Sequence, residues 1–206
     1  MRIEGGTSST DAADYFSFGG NGSFGIDAPG IPDGRFVVQN SGNVGIGTNA
    51  PTTKLHVAGD VTVTGDIFLT GADCAEHFTV TAGTLPEPGS VLVISEDGTL
   101  RESQREYDRT VAGVVSGAGQ YRPALLLDSQ LSTEDHVPLA LIGKVYCKVD
   151  AQYSAIKIGD LLTTSPTPGH AMKAADAARA GGSVIGKALK SIASGRGLIP
   201  VLICLQ

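Results

Sequence analysis

The chain has 206 residues and a formal net charge of -6, which fits one large domain or two small ones. An acidic balance lacks the basic face that a nucleic-acid binder needs, and no run of about 18 apolar residues is present to span a bilayer. The 28 glycines follow no three-residue period, which excludes a collagen helix.

Residues 1–10 show no apolar signal-peptide core. Tyr15-Phe16-Ser17-Phe18 and Ser23-Phe24-Gly25-Ile26 flank Gly19-Gly20-Asn21-Gly22, which reads as a hairpin. A loop at 28–34 follows, then strands at 35–39, 44–48, 55–57, 61–64 and 67–70, each closed by a Gly, Asn or Asp turn. Strands this short do not build a core in one chain. Each ordered residue costs roughly 1–2 kcal/mol of backbone entropy, against roughly 1.5–3 kcal/mol for each Ile or Val fully buried. Three chains winding together would bury these small side chains on a common axis, with Gly45 and Gly47 allowing close backbone approach.

From Asp73 the texture changes. Apolar runs at 90–94, 111–115, 124–127, 137–142, 144–149, 156–162, 183–189 and 198–205 are bounded by Gly, Pro or Asp and predict a compact β domain. The helix candidate is 171–180, Ala-rich and stopped by Gly181-Gly182. Aromatics make up only 5% of the chain, so its cores are Val, Ile, Leu and Ala or are shared between chains. The predicted fold class is therefore all-β, with a stalk at 1–72 and a β-rich head at 73–206.

The head repeats itself. Pro88-Gly89-Ser90-Val91-Leu92 returns as Ile158-Gly159-Asp160-Leu161-Leu162, Asp97-Gly98 as Pro168-Gly169, and Val111-Ala112-Gly113 as Val184-Ile185-Gly186. This predicts one β unit used twice: strand, glycine turn, strand, variable excursion, strand.

Gly42-Asn43-Val44-Gly45-Ile46-Gly47-Thr48, followed by Pro51 and Lys54-Leu55-His56-Val57-Ala58-Gly59, resembles a motif of phage tail fibres and related bacterial fibre proteins. The resemblance implies an intertwined, parallel homotrimeric stalk, with Val44, Ile46, Leu55 and Val57 at the trimer seam. It also implies a place on a virion, a phage-like particle or a bacterial extracellular fibre, below an upstream fibre or baseplate protein. Asp73-Cys74-Ala75-Glu76-His77-Phe78 is similar to the start of phage-appendage chaperone domains that cleave themselves off, and the head repeat to β-clip-like modules of phage decoration proteins.

Candidate chemistry is sparse. His56, His77, His136 and His170 lie far apart without metal-ligand spacing, so no metal or cofactor is expected. Cys74, Cys147 and Cys204 include no C-x-x-C pair and read as free thiols. On a strand Cys74 and His77 point to opposite faces, whereas on a turn they could meet. Glu102, Glu106 and Asp108 could do glycosidase chemistry but sit among arginines, as solvated loops do. The reading is a fibre tip rather than a catalyst. Receptor or glycan contacts fall to polar loops carrying Arg and Tyr: Gln104, Arg105, Tyr107 and Arg109, and Gln120, Tyr121 and Arg122. The alternatives are a self-cleaving chaperone and a monomeric decoration module.

Overall fold

The computed structural model describes residues 24–26, 36–83, 85–128 and 135–204. Among the described residues the fold is all-β with one short helix, and the contacts divide the chain into Met1–Ile67 and Phe68–Gln206.

The first unit holds a four-stranded sheet of β1 (Phe24–Ile26), β2 (Phe36–Val38), β3 (Val44–Ile46) and β4 (Leu55–Val57) in sequential order. Phe24–Ile26 pairs with Phe36–Val38; the expected hairpin partner at 15–18 lies outside the described residues. β3 and β4 run parallel, with Val44 opposite Leu55 and Ile46 opposite Val57. The close approaches at the glycines occur within the chain: a Cβ on Gly45 would collide with the Thr48 carbonyl, and one on Gly47 (φ +72°) would lie 2.8 Å from the Ala58 carbonyl oxygen. Little is buried by this sheet, since Ile26, Ile46 and Leu55 are all exposed.

The strands expected at 61–64 and 67–70 are absent from the single chain. Val61-Thr62-Val63-Thr64 alternates as a strand requires, but among the described residues no segment pairs with it.

The second unit contains β5 (Asp73–Thr79), β6 (Val91–Ile94), β7 (Leu100–Glu102), β8 (Val111–Val115), β9 (Pro123–Leu127), β10 (His136–Asp150), β11 (Leu161–Thr164), β12 (Ala171–Lys173), α1 (Ala177–Ala180), β13 (Val184–Ala188) and β14 (Arg196–Ile203). Two segments expected as separate strands, 137–142 and 144–149, form the single strand β10. Gly143 joins them at φ +109°, with no room for a side chain against Ala72 and Asp73. The expected helix 171–180 is shorter. Ala171–Lys173 pairs with β11 and, through Ala171, with Val149 of β10, so ladder closure overrides alanine's helix propensity. Only Ala177–Ala180 is helical, capped by Asp176, whose Oδ1 accepts the Ala178 amide at 2.9 Å.

Strand pairing closes two small rings that share β10. In the first, β10 pairs with β8, β8 with β6, and β6 with β7; a parallel bridge from Leu100 to Val80 then returns through β5 to β10. In the second, β10 pairs with β14, β14 with β13, β13 with β11, and β11 with β12; a parallel bridge from Ala171 returns to Val149 of β10.

These rings are the two copies of the repeat seen in the sequence. Both carry a register shift at the same place, between Leu92 and Val93 opposite Gly113, and between Leu162 and Thr163 opposite Gly186. Gly89 N–H donates to the Val115 carbonyl and Gly159 N–H to the Ala188 carbonyl, both at 2.8 Å. Gly113 and Gly186 are required by contact: a Cβ would lie 3.0 Å from the Ala140 carbonyl oxygen at the first and collide with the Leu202 carbonyl at the second.

Two-residue alternation along each strand divides the core. Leu92, Leu100, Val115, Val137 and Leu139 pack together as the first cluster. Val91 and Val114, one step away, join Val145, Val149, Ile185 and Val201 in the larger second cluster. Backbone bonds also stitch the copies, from Val91 N–H to the Gly169 carbonyl and from Gly169 N–H to the Ser103 carbonyl, both at 2.9 Å.

Cys147 is buried in the second cluster, and burial pushes its thiol up to about 12. A thiol in that state is inert at neutral pH. In the native protein, a maleimide at pH 8 should therefore leave Cys147 unmodified while the half-buried Cys74 and Cys204 react, as peptide mapping would report.

Candidate functional site

The excursions of the two repeats, residues 103–110 and 174–183, lie side by side in the head. Tyr107 takes φ +53°, a left-handed backbone that a bulky residue adopts only under constraint. The constraint is visible. Its amide donates to the Thr164 carbonyl at 3.4 Å, the Asp108 amide donates to Thr164 Oγ1 at 2.8 Å, and its hydroxyl accepts the Asp176 amide at 2.8 Å. Arg179 lies 4.3 Å from the Tyr107 ring centroid and pairs with Glu106 at 2.9 Å. Between these residues and Tyr153 opens a cleft of about 410 Å³.

Tyr153 is half exposed, and its hydroxyl lies 3.2 Å from Thr167 Oγ1. Thr167 donates to the fully buried Asp150 at 2.7 Å, and Asp150 also accepts from Gln152 and Arg196. Burial alone would raise the Asp150 carboxyl, but these bonds outweigh it and hold the group below the usual carboxylate range.

The receptor-contact candidates from the sequence fall in different settings. Tyr107 faces the cleft just described. Arg105 is engaged with Asp108 at 3.6 Å, Arg109 runs beside Gly182, and Gln104 is exposed. Gln120 is exposed on the second loop. There, Arg122 Nη1 donates to the Gly117, Gly119 and Tyr121 carbonyls at 2.6, 3.0 and 2.7 Å, so it clamps its own loop. The Tyr121 ring packs against Tyr146 at a tilt of 43°, centroids 5.0 Å apart, with the Lys144 ammonium 5.4 Å from the Tyr121 ring.

Glu102, Glu106 and Asp108 do not converge. Glu102 accepts the Ser90 hydroxyl at 2.9 Å and lines a separate cleft of about 370 Å³ with Glu87 and Lys148. Glu106 is paired with Arg179, and Asp108 accepts the Thr110 hydroxyl at 2.7 Å. In the Glu87 cleft, Lys148 Nζ donates to Ser90 Oγ at 3.1 Å and to Glu87 at 2.7 Å.

On β5 the strand geometry puts Cys74 and His77 on opposite faces. Asp73, on the same face as Ala75 and His77, is buried, and neither of its oxygens is hydrogen-bonded. Burial raises its pKa; Ser116 is near enough to lower it in part without an aligned bond. The folded state therefore holds this proton over a range where the unfolded chain has lost it. Stability is lost as pH rises from about 4 through the raised value. Asp73→Asn should raise the thermal midpoint at pH 7, and the gain should vanish at or below pH of about 4. Among the described residues, no three His, Cys, Asp or Glu side chains gather as metal ligands.

The sequence reading missed Tyr153, Arg179 and Asp176. For Asp176 and Arg179 the repeat carried the signal, because duplicated units place equivalent excursions next to each other.

No family model and no curated protein matches the chain. Among solved structures it is similar to the C-terminal fragment of gene product 12 of bacteriophage phi29. Sequence identity is 15% and the TM-score 0.46, over 64% of this chain and 100% of that one.

Proposed function

We propose that this chain is the tip of a multi-chain fibre on a phage tail or phage-like injection particle. In this reading the segment around residues 58–70 pairs with copies of itself, and the head carries the attachment surface. The observation that supports it is the state of that segment in a single chain. Residues 58–70 form no strand, yet Val61, Val63, Ile67, Phe68 and Leu69 are exposed, Phe68 to 91%. Val-Thr-Val-Thr alternation prepares one apolar face and one polar face, and copies running parallel supply the missing ladder and cover. Covering Val61, Val63, Ile67 and Leu69, which share one parity along the segment, returns roughly 1 kcal/mol or more for each. A homotrimer is the assembly expected. Size-exclusion chromatography with light scattering tests it: a native mass of three chains supports the reading, and a mass of one chain removes it.

A second reading rests on Asp73. In it, the buried Asp73 carboxyl, which has no hydrogen bond and whose pKa burial raises, would pass a proton to the amide leaving group as water attacks a nearby peptide carbonyl. Expression would then yield two fragments parting near residues 72–80, and Asp73→Asn would yield the intact chain. A single intact mass for the parent discards this reading.

A further inference from the structure

We propose that the cleft between the two excursions is a carbohydrate subsite that takes a neutral sugar residue stacked on Tyr153. It rests on the attachment reading above, whose surface it would specify. Ligand sites of this kind are concave, mostly apolar, and carry a few convergent polar groups within roughly 300–1,000 Å³. The cleft meets that description at about 410 Å³.

The apolar part is aromatic and fixed in place. Tyr107 is held at its hydroxyl by the Asp176 amide, and Tyr153 at its hydroxyl by Thr167, itself anchored on buried Asp150. Rings fixed before binding lose little entropy when a ligand arrives. Arg179 already covers the Tyr107 ring, which leaves the half-exposed Tyr153 ring as the platform. Met172, buried, also lines the cleft. A pyranose offers such a surface its C–H face.

The polar part decides the ligand's charge. The two cations lining the cleft are each neutralised within the protein, Arg179 by Glu106 at 2.9 Å and Lys173 by Asp160 at 2.9 Å. A phosphate, sulfate or carboxylate ligand would have to break those pairs. Glu106, Arg179, Asp176 and Ser154 instead offer acceptors and donors side by side, which suits the vicinal hydroxyls of an uncharged sugar.

The test is to apply the full chain to an array of neutral hexose and N-acetylhexosamine oligosaccharides, with sialylated and sulfated ones alongside, and then titrate the strongest neutral ligand by calorimetry. Tyr153→Ala should weaken binding about tenfold or more, and Tyr153→Phe should stay within about threefold of the parent. Ala175→Trp, which fills the cleft from an exposed position, should abolish binding and covers the case in which Tyr153→Ala fails to fold. Absence of any neutral ligand, binding of charged glycans alone, or Ala175→Trp binding like the parent would overturn the proposal. Native mass on the same samples separates the two readings: a single chain that binds sugar removes the fibre and keeps the subsite, and a trimer that binds none does the reverse.

Discussion

Ile67→Asp or Val63→Asp should reduce the native mass to that of a single chain while the head remains folded. Both side chains are exposed and lie in a segment that has no secondary structure of its own. A charge placed on an interface between copies would be desolvated three times over, at several kcal/mol per buried ion. Nothing in the single chain is disturbed, because neither residue packs in either core cluster. Thr62→Asp and Thr64→Asp, on the alternate face, should leave the mass unchanged. Light scattering beside thermal unfolding of the head reads both effects. If all four variants share one mass, the segment is not the seam.

Gly186→Val should unfold the second ring, at a cost of about 4 kcal/mol or more. The added side chain would be driven into the Leu202 carbonyl on β14, and backbone on a closing strand has nowhere to move. Urea titration should show the loss as a lower midpoint or as a head that never folds. Gly113→Val should behave similarly, since it is the equivalent position, at φ +151° and against Ala140. Gly181→Ala is the control. A Cβ there meets nothing within 4 Å and its φ is -58°, so the change should be neutral or slightly stabilising. Equal stability of Gly186→Val and the parent would contradict the ring closure described above.

Much of the head was legible because its grammar is local. Val111–Val115 is bounded as predicted, the positive-φ glycines at 89 and 98 recur at 159 and 169, and Gly113 and Gly186 sit opposite the same register shift. The failures came where tertiary closure outweighs local preference. Gly143 looks like a break, yet it is the point where β10 passes from one ring to the other. Ala171–Lys173 looks helical, yet its ladder completes the second ring. Of the candidate site, Tyr107 was found because polar loops with aromatic residues stand out. Tyr153 was not, because its role depends on a threonine and an aspartate that only the fold brings together.

Because β10 belongs to both rings and β14 seals the second, the head should acquire its last strand late in folding. Until Arg196–Ile203 arrives, β10 and β13 each present an unpaired ladder edge. The first repeat is itself bonded through Val91 to Gly169, far along the chain. Pairings so distant in sequence close slowly, on the order of milliseconds to seconds. During that interval the open edges are templates for strands of other molecules. In the proposed assembly, chains gathered early through residues 61–69 would hold unfinished heads close together, so the timing of the final strand would govern the yield of correctly folded chains.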